Sequence, residues 1–507
     1  MNFPWLLLIV LTPLIGTLLL FVPKRFIPFS DKQIALYSSL ITLVFVLVVA
    51  FIFDTSSTAL TQFDVSYDWI PIFGISFHLG LTGISLVLIG LTAVLTPIVL
   101  LATEHEGMKK RKEFLMWILL VEASALAVFL ARDLFLFYVV FEAMLVPIFF
   151  LVGRFGGPRR SAAALKFILF GLAGGLVMLA ALIWLYFVGA TQLGRGTFSI
   201  TALSNELNMD VWTERWLFLG FFFAFALKAP MFPGHTWLPD TAEQATPGTS
   251  TMLIGILDKV GTYGMLAILL PIFPNASKEF APIIIGLAVF GVIYAALVAM
   301  AQKDMKRTFA FISISHFGFI VMGIFSFTSI GMIGSTVYMV AHGLSTAALF
   351  LTAGYLIKQK DNSLINSFGG LTKIAPVMTG IFLIAALASI ALPGMAGFVG
   401  EFMVLTGTFQ RYQIPTIIAT FGIILAAIYM LWLYQRVFTG TENKETKNIV
   451  DLNLKQTLVL SPLVVLTVLF GFYPAPVIKI AESAISNTML QIGQTDPGPI
   501  ISKVETK

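Results

Sequence analysis

Long apolar runs separated by short polar connections dominate the pattern of this 507-residue chain. A run of about 20 apolar residues crosses a ~30 Å hydrocarbon layer as a helix, because lipid offers no partner to exposed backbone groups. The pattern predicts an all-α polytopic membrane protein with about 14 transmembrane helices. The predicted spans are 3–22, 33–53, 80–102, 113–131, 134–152, 163–188, 213–235, 244–270, 281–301, 307–326, 329–357, 374–405, 414–436 and 456–475.

The order of the spans predicts four parts. Helices 1–3 occupy residues 1–112, and helix 14 with a polar tail occupies residues 441–507. Between them we expect two inverted five-helix repeats, formed by helices 4–8 in residues 113–270 and by helices 9–13 in residues 271–440.

A segment between the second and third spans has strand character rather than helical character. Residues 54–77 include Tyr67, Asp68, Trp69 and Pro71, which are typical of a turn. We expect a small hairpin here, over the outer surface of the protein.

Helices 7 and 12 are predicted to be broken. Residues 227–235 read LKAPMFPGH and residues 391–401 read ALPGMAGFVGE, so each combines a proline–glycine interruption with an ionisable residue. Proline removes a helix hydrogen bond and leaves backbone groups that protein or water must satisfy. Paired broken helices in inverted repeats indicate a transport site near the midplane, whereas either break alone is also explained by an ordinary proline kink.

Ionisable side chains inside the apolar runs are the candidate functional residues. A charged group near the bilayer centre costs about 2.5–3.5 kcal/mol on insertion scales, so such residues usually face a partner or an internal water path. Acids, amines and imidazoles buried together indicate a proton relay. The candidates are Glu142 in helix 5, Lys228 in helix 7, Lys259 in helix 8, His316 in helix 10, His342 in helix 11 and Glu401 in helix 12.

Composition and charge agree with a membrane protein, since 58% of the residues are hydrophobic and 11% are charged. The net charge of +5 is scattered through short loops, which argues against nucleic acid as a partner. Lysine and arginine accumulate on the cytoplasmic side of short loops, so both termini are expected outside. The basic residues that follow odd-numbered helices are Lys24, Arg25, Lys32, Lys109, Lys110, Arg111, Lys112, Arg154, Arg159, Arg160, Lys166, Lys303, Lys306, Arg307, Lys358, Lys360, Lys373, Arg436, Lys444, Lys447 and Lys455.

Several kinds of chemistry find no support in the sequence. The chain has no cysteine, which excludes disulfides, cysteine-ligated iron–sulfur clusters and c-type haem attachment within it. His316 and His342 lack the paired histidines at helical spacing that two b-type haems would need. No phosphate-binding Gly-Lys-Ser/Thr loop and no metal-ligand spacing occur, so we expect neither a cofactor nor a metal in this chain.

Three motifs carry a resemblance to a known family. Residues 228–240 read KAPMFPGHTWLPD and are followed by ATP at 245–247, residues 137–147 read FYVVFEAMLVP, and residues 257–264 read LDKVGTYG. These motifs resemble those of the antiporter-like proton-pumping membrane subunits of respiratory complex I (NADH–quinone oxidoreductase), and the match spans nearly the whole chain.

Two positions refine this resemblance. In that family the helix 12 position of Glu401 is glutamate in the M-type subunit, a homologue of mitochondrial subunit 4, whereas related subunits usually carry lysine. Glu401 therefore favours the M type. Thr82 departs from the family pattern, which commonly has aspartate at the start of helix 3, and the departure concerns a local contact at the outer surface.

The resemblance implies proton translocation driven by redox chemistry in partner subunits. NADH oxidation and quinone reduction, with FMN, iron–sulfur clusters and quinone, would belong to those subunits. The expected neighbours are the L-type and N-type antiporter-like homologues and membrane lipid, in a bacterial cell (inner) membrane. The alternatives are a subunit of a multisubunit sodium/proton antiporter and a membrane subunit of a hydrogenase complex.

The resemblance also implies roles for the acids and lysines. Glu142 and Lys228 would form an ion pair, whose attraction at ~4 Å and an effective dielectric near 20 is about 4 kcal/mol. Separating the pair would favour release of the lysine proton, and re-forming it would favour uptake. The alternative is a structural salt bridge between two helices.

Lys259 would be the central carrier and Glu401 the terminal site, with His316 and His342 connecting them. Small and hydroxylated residues around both histidines leave space for water. Either histidine could instead hydrogen-bond a neighbouring helix, and Lys259 could instead only neutralise the adjacent Asp258.

Overall fold

A computed structural model describes residues 3–23, 25–26, 28–103, 110–441, 446 and 448–498, which are largely helical. Within them, eleven helices are long and apolar enough to cross a membrane, and three shorter apolar helices accompany them. The predicted all-α polytopic membrane fold is confirmed, while the number of fourteen and the inverted repeats stay predictions. The basic residues Lys24, Lys109, Lys444, Lys447, Lys503 and Lys507 lie outside the described residues.

The helix boundaries follow the apolar runs of the sequence closely. In chain order the described helices are α1 (Trp5–Leu19), α2 (Asp31–Ile52), α3 (Gly83–Ala102), α4 (Arg111–Leu130), α5 (Leu134–Ala143), α6 (Leu145–Phe155), α7 (Arg160–Leu193), α8 (Ile200–Glu206), α9 (Val211–Lys228), α10 (Trp237–Gln244), α11 (Pro247–Met252), α12 (Lys259–Gly264), α13 (Leu270–Ile272), α14 (Pro274–Met300), α15 (Met305–Ile324), α16 (Ser329–Lys360), α17 (Pro376–Ser389), α18 (Ala396–Phe409), α19 (Gln413–Phe438), α20 (Leu454–Phe472) and α21 (Ala475–Gln491).

The expected hairpin is present, but its turn is displaced. Strands β1 (Gln62–Ile70) and β2 (Ile75–Leu81) pair antiparallel, with Tyr67 opposite Phe77 inside the ladder. The chain reverses at Gly74, whose φ of 65° is readily accessible to glycine. The turn therefore lies at residues 71–74, which include the predicted Pro71, rather than at residues 67–69.

Thr82 begins α3 with a capping box. Its hydroxyl accepts a hydrogen bond from the Ser85 N–H at 3.1 Å, and the Ser85 hydroxyl accepts from the Thr82 N–H at 2.8 Å. A threonine thus satisfies a first-turn donor, as an aspartate can, because both side chains present an oxygen to the backbone.

The interruption predicted in helix 7 is present between α9 and α10. Because Pro230 and Pro233 prevent a regular continuation, the Met231 N–H donates to Ala226, five residues back, at 2.9 Å. The Trp237 indole N–H donates to the Leu227 carbonyl at 3.0 Å and occupies an acceptor that the regular pattern would have used. The break is therefore stabilised by the protein itself.

The interruption predicted in helix 12 lies between α17 and α18. It contains Ala391 at φ 54° and Gly394 at φ 89°. A positive φ is unfavourable for alanine, so this break carries local backbone strain that the surrounding helices must offset. Glu401 lies on α18, one to two turns after the break.

The predicted helix 8 is a single run with two irregular turns. Residues Pro247–Ile272 form one buried span, in which π-helical turns at Leu253–Leu257 and Met265–Leu269 flank α12. Single π-helical turns are rare and often occur at functional sites. One residue, Asp258, separates Lys259 from the first irregular turn.

Helix α16 lies at the centre of the fold. It packs against α3, α11, α15, α17, α18, α20 and α21, and most of its residues are buried. The helix α21 was not predicted; the sequence suggested only a polar tail from Gln491 onward. It packs against α3 and α16, and Gly83 makes room for the Ile480 carbonyl.

Candidate functional site

All six predicted residues lie within the helical body. Glu142 is half-buried, whereas the other five are at most 5% exposed. The structure connects Lys259, His342 and His316 through side-chain contacts and joins Glu401 to them through a tyrosine. It places Glu142 and Lys228 in a neighbouring region, between α5, α7 and α9.

The expected ion pair between Glu142 and Lys228 is not formed. The Lys228 ammonium donates to the Phe141 carbonyl at 3.4 Å and lies 4.6 Å from the centre of the Phe141 ring. Glu142 Oε1 has no hydrogen-bond partner among the described residues. Because Lys228 ends α9, its side chain reaches a carbonyl and an aromatic face before it reaches the carboxylate. The lysine thus contacts the residue that directly precedes Glu142.

Gly175 on α7 creates the space for the Glu142 carboxylate. A Cβ atom at this glycine would lie 2.0 Å from Oε1 of Glu142 and 2.6 Å from Oε2. No side chain of any size fits there while the carboxylate keeps its position. The Glu142 carboxylate therefore occupies the space on α7 that a side chain at position 175 would fill.

Lys259 makes two close polar contacts. Its ammonium donates to the Ile254 carbonyl at 2.5 Å and lies 2.8 Å from Nδ1 of His342. The first contact follows from the π-helical turn, because the Asp258 N–H bonds to Leu253 rather than to Ile254. The freed carbonyl and the imidazole together orient a lysine that is completely buried.

The two histidines meet ring edge to ring face. Their centroids are 5.3 Å apart and the rings are 87° from parallel. His342 Nε2 and His316 Nδ1 have no hydrogen-bond partner in the part of the chain that the structure describes. Each ring thus keeps one nitrogen available for a proton or a water molecule.

Two tyrosines that the sequence analysis did not single out extend this region. The Tyr338 hydroxyl donates to Glu401 Oε2 at 3.0 Å, and the Tyr429 hydroxyl lies 3.4 Å from His316 Nε2. Tyr338 is also 5.7 Å from the His316 ring, centroid to centroid. The helical period contained a signal for Tyr338, since it precedes His342 by four residues and so shares its face of α16.

Glycine also allows close packing around Glu401. A Cβ atom at Gly400 would lie 2.6 Å from the Tyr338 backbone, so α18 and α16 approach each other at this point. The approach brings the Glu401 carboxylate within reach of the Tyr338 hydroxyl.

Two further carboxylates are buried near these residues. Glu122 on α4 and Asp258 before α12 are completely buried, and none of their four carboxylate oxygens has a hydrogen-bond partner among the described residues. Lys259 makes no hydrogen bond to Asp258, so the structure does not show the simple neutralised pair that was the alternative for this lysine.

A charged cluster joins α7, α10 and α15. Arg307 donates to Asp240 at 2.5 Å and to Glu243 at 3.0 Å, Lys166 donates to Asp240 at 2.6 Å, and Arg159 donates to Glu243 at 2.5 Å. Burial raises the pKa of Asp240, but the hydrogen bonds from Lys166 and Arg307 outweigh it and lower the pKa below its ordinary value. The cluster borders a cavity of about 170 Å³.

Comparison with known proteins identifies the family. The family model described as NADH:quinone oxidoreductase/Mrp antiporter, TM, matches residues 131–428, which include all six predicted site residues. The chain belongs to this family.

Individual members of the family match over almost the full chain. NADH-quinone oxidoreductase subunit M of Mycobacterium tuberculosis (strain CDC 1551 / Oshkosh) is 42% identical, over 99% of this chain and 97% of that protein. A chain of respiratory complex I from Thermus thermophilus with bound NADH is 29% identical, with a TM-score of 0.86 over 96% of this chain and 99% of that chain. A chain of the Mrp complex from Dietzia sp. DQ12-45-1b, 21% identical with a TM-score of 0.83, covers 96% and 98% and shows the shared fold alone.

In this family member the buried groups are suited to proton transfer. Amine, imidazole, phenol and carboxyl groups follow one another from Lys259 to Glu401, and each can gain and lose a proton. No group of three or more histidine, aspartate and glutamate side chains that could hold a metal occurs among the described residues.

Proposed function

We propose that this chain is the M-type proton-translocating membrane subunit of an NADH–quinone oxidoreductase. The observation that carries the proposal is the run of contacts from Lys259 through His342, His316 and Tyr338 to Glu401. The near full-length similarity to a protein named NADH-quinone oxidoreductase subunit M supports it.

Protons would move along this run by exchange between neighbouring groups. The Lys259 ammonium gives a proton to Nδ1 of His342, and the imidazole passes a proton from its other nitrogen toward His316. From His316 the proton reaches Glu401 with the help of Tyr338, whose hydroxyl already donates to that carboxylate. Each transfer returns the donor to its neutral or anionic form, so charge and protons balance.

Glu142 and Lys228 would control the loading of this path. In the structure Lys228 contacts the Phe141 carbonyl instead of the Glu142 carboxylate. We propose that this is the separated arrangement and that pairing stabilises the lysine charge in another state. Moving one charge against a potential costs about 2.3 kcal/mol per 100 mV, which the attraction of such a pair can offset.

The redox chemistry would belong to other subunits. Iron–sulfur clusters are proposed there because this chain has no cysteine to ligate them. FMN and quinone are proposed there because the resemblance to complex I implies them. The energy would then arrive as a conformational or electrostatic change at the contacts with neighbouring subunits. The proposed neighbours are the L-type and N-type homologues, with membrane lipid around them.

The two halves around the breaks are proposed to be inverted repeats, over residues 113–270 and 271–440. The first contains the interruption after Lys228 and the second the interruption before Glu401, in support of this division.

We propose a bacterial inner membrane location with both termini outside; the distribution of basic residues supports this orientation. The absence of native cysteine allows a direct test with single Ser56→Cys and Asn362→Cys variants. A membrane-impermeant maleimide applied to intact cells should label only the first. Labelling of only the second would reverse the proposed orientation.

The function itself is tested by NADH-driven proton pumping in vesicles that contain the complete complex. Glu142→Gln and Glu401→Gln should each abolish pumping and coupled NADH oxidation, with the complex assembled and without a sodium requirement. Glu482→Gln, on the exposed face of α21, is the matched control and should pump like the wild type. Normal pumping by both test variants would contradict the proposal, and redox-independent sodium exchange would favour the sodium/proton antiporter alternative.

A further inference from the structure

Asp258 is a buried acid that the proposed path does not yet use. Its side chain is 0% exposed, and neither carboxylate oxygen has a hydrogen-bond partner among the described residues. An ionised carboxylate without donors is strongly destabilised in a low-dielectric interior, whereas the protonated acid is tolerated there. The unpartnered oxygens therefore point to a group that holds a proton in this arrangement.

The position of Asp258 on its helix directs it toward α9. Asp258 and Gly261 are three residues apart and share a helix face. A Cβ atom at Gly261 would lie 2.5 Å from the Phe225 carbonyl and 2.6 Å from the Ala229 N–H nitrogen, so this face is in close contact with the end of α9. That end carries Lys228.

The next face of the same helix is directed toward α16. Lys259 contacts His342, and the Thr262 hydroxyl lies 3.0 Å from the Met339 sulfur atom. Asp258 therefore lies between α9, which carries Lys228, and the helix face that carries Lys259.

Both lysines lie on helix faces next to Asp258 but direct their ammonium groups elsewhere. Lys228 donates to the Phe141 carbonyl, and Lys259 donates to the Ile254 carbonyl. Lysine has a long side chain with four flexible carbons, so either ammonium can change partner by rotating its own bonds. Neither ammonium donates to Asp258, which lies on the helix face between α9 and the face of Lys259.

We propose that Asp258 is a proton carrier between Lys228 and Lys259, and this inference rests on the proposed function. In the first step the Asp258 acid gives its proton to the neutral amine of Lys259, which leaves a carboxylate and forms an ammonium. In the second step the Lys228 ammonium gives its proton to this carboxylate, which restores the acid and leaves a neutral amine. The two steps move one proton from the Glu142 region to the histidine path.

The test uses the complete complex in vesicles with Asp258→Asn and Asp258→Glu. Asparagine keeps the size and polarity but cannot carry the proton, so NADH-driven pumping should fall by about tenfold or more. Glutamate keeps the carboxyl group and should retain most of the pumping. Thr251→Val, in the same buried span, is the matched control, because its hydroxyl bonds only to the Pro247 carbonyl.

A spectroscopic measurement separates a carrier from a merely structural residue. During turnover, the infrared difference spectrum should contain a carboxylic acid C=O band that shifts in D₂O. The band should be absent in Asp258→Asn and displaced in Asp258→Glu. The glutamate variant keeps this test decisive where the asparagine variant fails to assemble.

The outcomes distinguish this inference from the proposed function. Wild-type pumping and an unchanged infrared band in Asp258→Asn, with pumping lost in Glu142→Gln, would overturn the role of Asp258 alone. Wild-type pumping in both Asp258→Asn and Glu142→Gln would overturn the proposed function as well. Loss of pumping in Asp258→Asn with recovery in Asp258→Glu supports the carrier.

Discussion

The Lys259 ammonium lies 2.8 Å from Nδ1 of His342, in direct contact between two buried basic groups. A protonated lysine can only donate, so Nδ1 must present its lone pair whenever the lysine is charged. The imidazole then carries its own proton on Nε2, which has no hydrogen-bond partner among the described residues. One proton is therefore shared between the Lys259 ammonium and Nδ1 of His342, while the proton on Nε2 is positioned to leave.

The first prediction concerns His342. In His342→Gln the side chain still accepts a hydrogen bond from Lys259, but it no longer exchanges protons. NADH-driven pumping by the assembled complex should fall by about tenfold or more. His78→Gln is the control, because His78 pairs with Asp64 in the hairpin, far along the chain from the path, and this variant should pump normally. Normal pumping by His342→Gln would show that protons bypass the imidazole.

A second prediction follows from the space at Gly175. In Gly175→Ala the new methyl group would overlap Glu142 Oε1, so the carboxylate must move. We expect pumping to drop by about tenfold or more, because displacement of a reacting group by ~1 Å can be that costly. Gly286→Ala on α14 is the control, since nothing lies within 4 Å of a Cβ atom there. Equal pumping by the two variants would mean that the position of Glu142 is unimportant.

A third prediction concerns stability. Arg307→Gln removes hydrogen bonds to Asp240 and Glu243, so it should destabilise the subunit by about 1–3 kcal/mol. The measurement is the temperature at which the purified complex releases the subunit, which should fall. Arg195→Gln is the control and should change little, because Arg195 and Glu206 form an exposed pair. Equal release temperatures for the two variants would show that the cluster contributes no more to stability than a surface pair.

The pH dependence of this contribution has a definite sign. The pKa of Asp240 is lower in the folded protein than its ordinary value of 3.8, so its ionised form stabilises the fold above that value. The stabilisation is complete at neutral pH and is lost as the pH falls through the folded pKa. The difference between wild type and Arg307→Gln should therefore be constant around neutrality and shrink only in strong acid.

The sequence was sufficient for the features that depend on long apolar runs and on proline. The interruptions after Lys228 and before Glu401 could be predicted because proline and glycine mark them directly. The π-helical turns around α12 have no such marker, since their apolar residues are compatible with an ordinary helix. The helix α21 was missed because its polar residues obscure a helix that is stabilised by packing on α3 and α16.

The candidate site shows a similar division between residue identity and geometry. The ionisable residues could be found because charge inside an apolar run is unusual. Which partner each one contacts depends on rotamers and on neighbouring helices, so Lys228 was predicted on Glu142 but contacts Phe141. Tyr338 was overlooked because its spacing to His342 is a weak signal by itself, and its contact with Glu401 depends on how α16 and α18 pack.

The last prediction therefore concerns Tyr338. Tyr338→Phe keeps the ring that packs near His316 and removes only the hydroxyl that donates to Glu401. Loss of a buried donor to a charged group costs about 1–3 kcal/mol, so pumping should fall by roughly 5- to 160-fold. Tyr37→Phe on α2 is the control, since that ring is exposed and should tolerate the change.

The pH profile of pumping decides what the Tyr338 hydroxyl does. The midpoint of the profile should move in Tyr338→Phe because the carboxyl group has lost its donor. If the hydroxyl only supports Glu401, the rate on the favourable side of the new midpoint stays close to that of the wild type. If the hydroxyl also passes the proton itself, the rate is low at every pH. A wild-type rate and midpoint would contradict both roles and would require protons to reach Glu401 without this tyrosine.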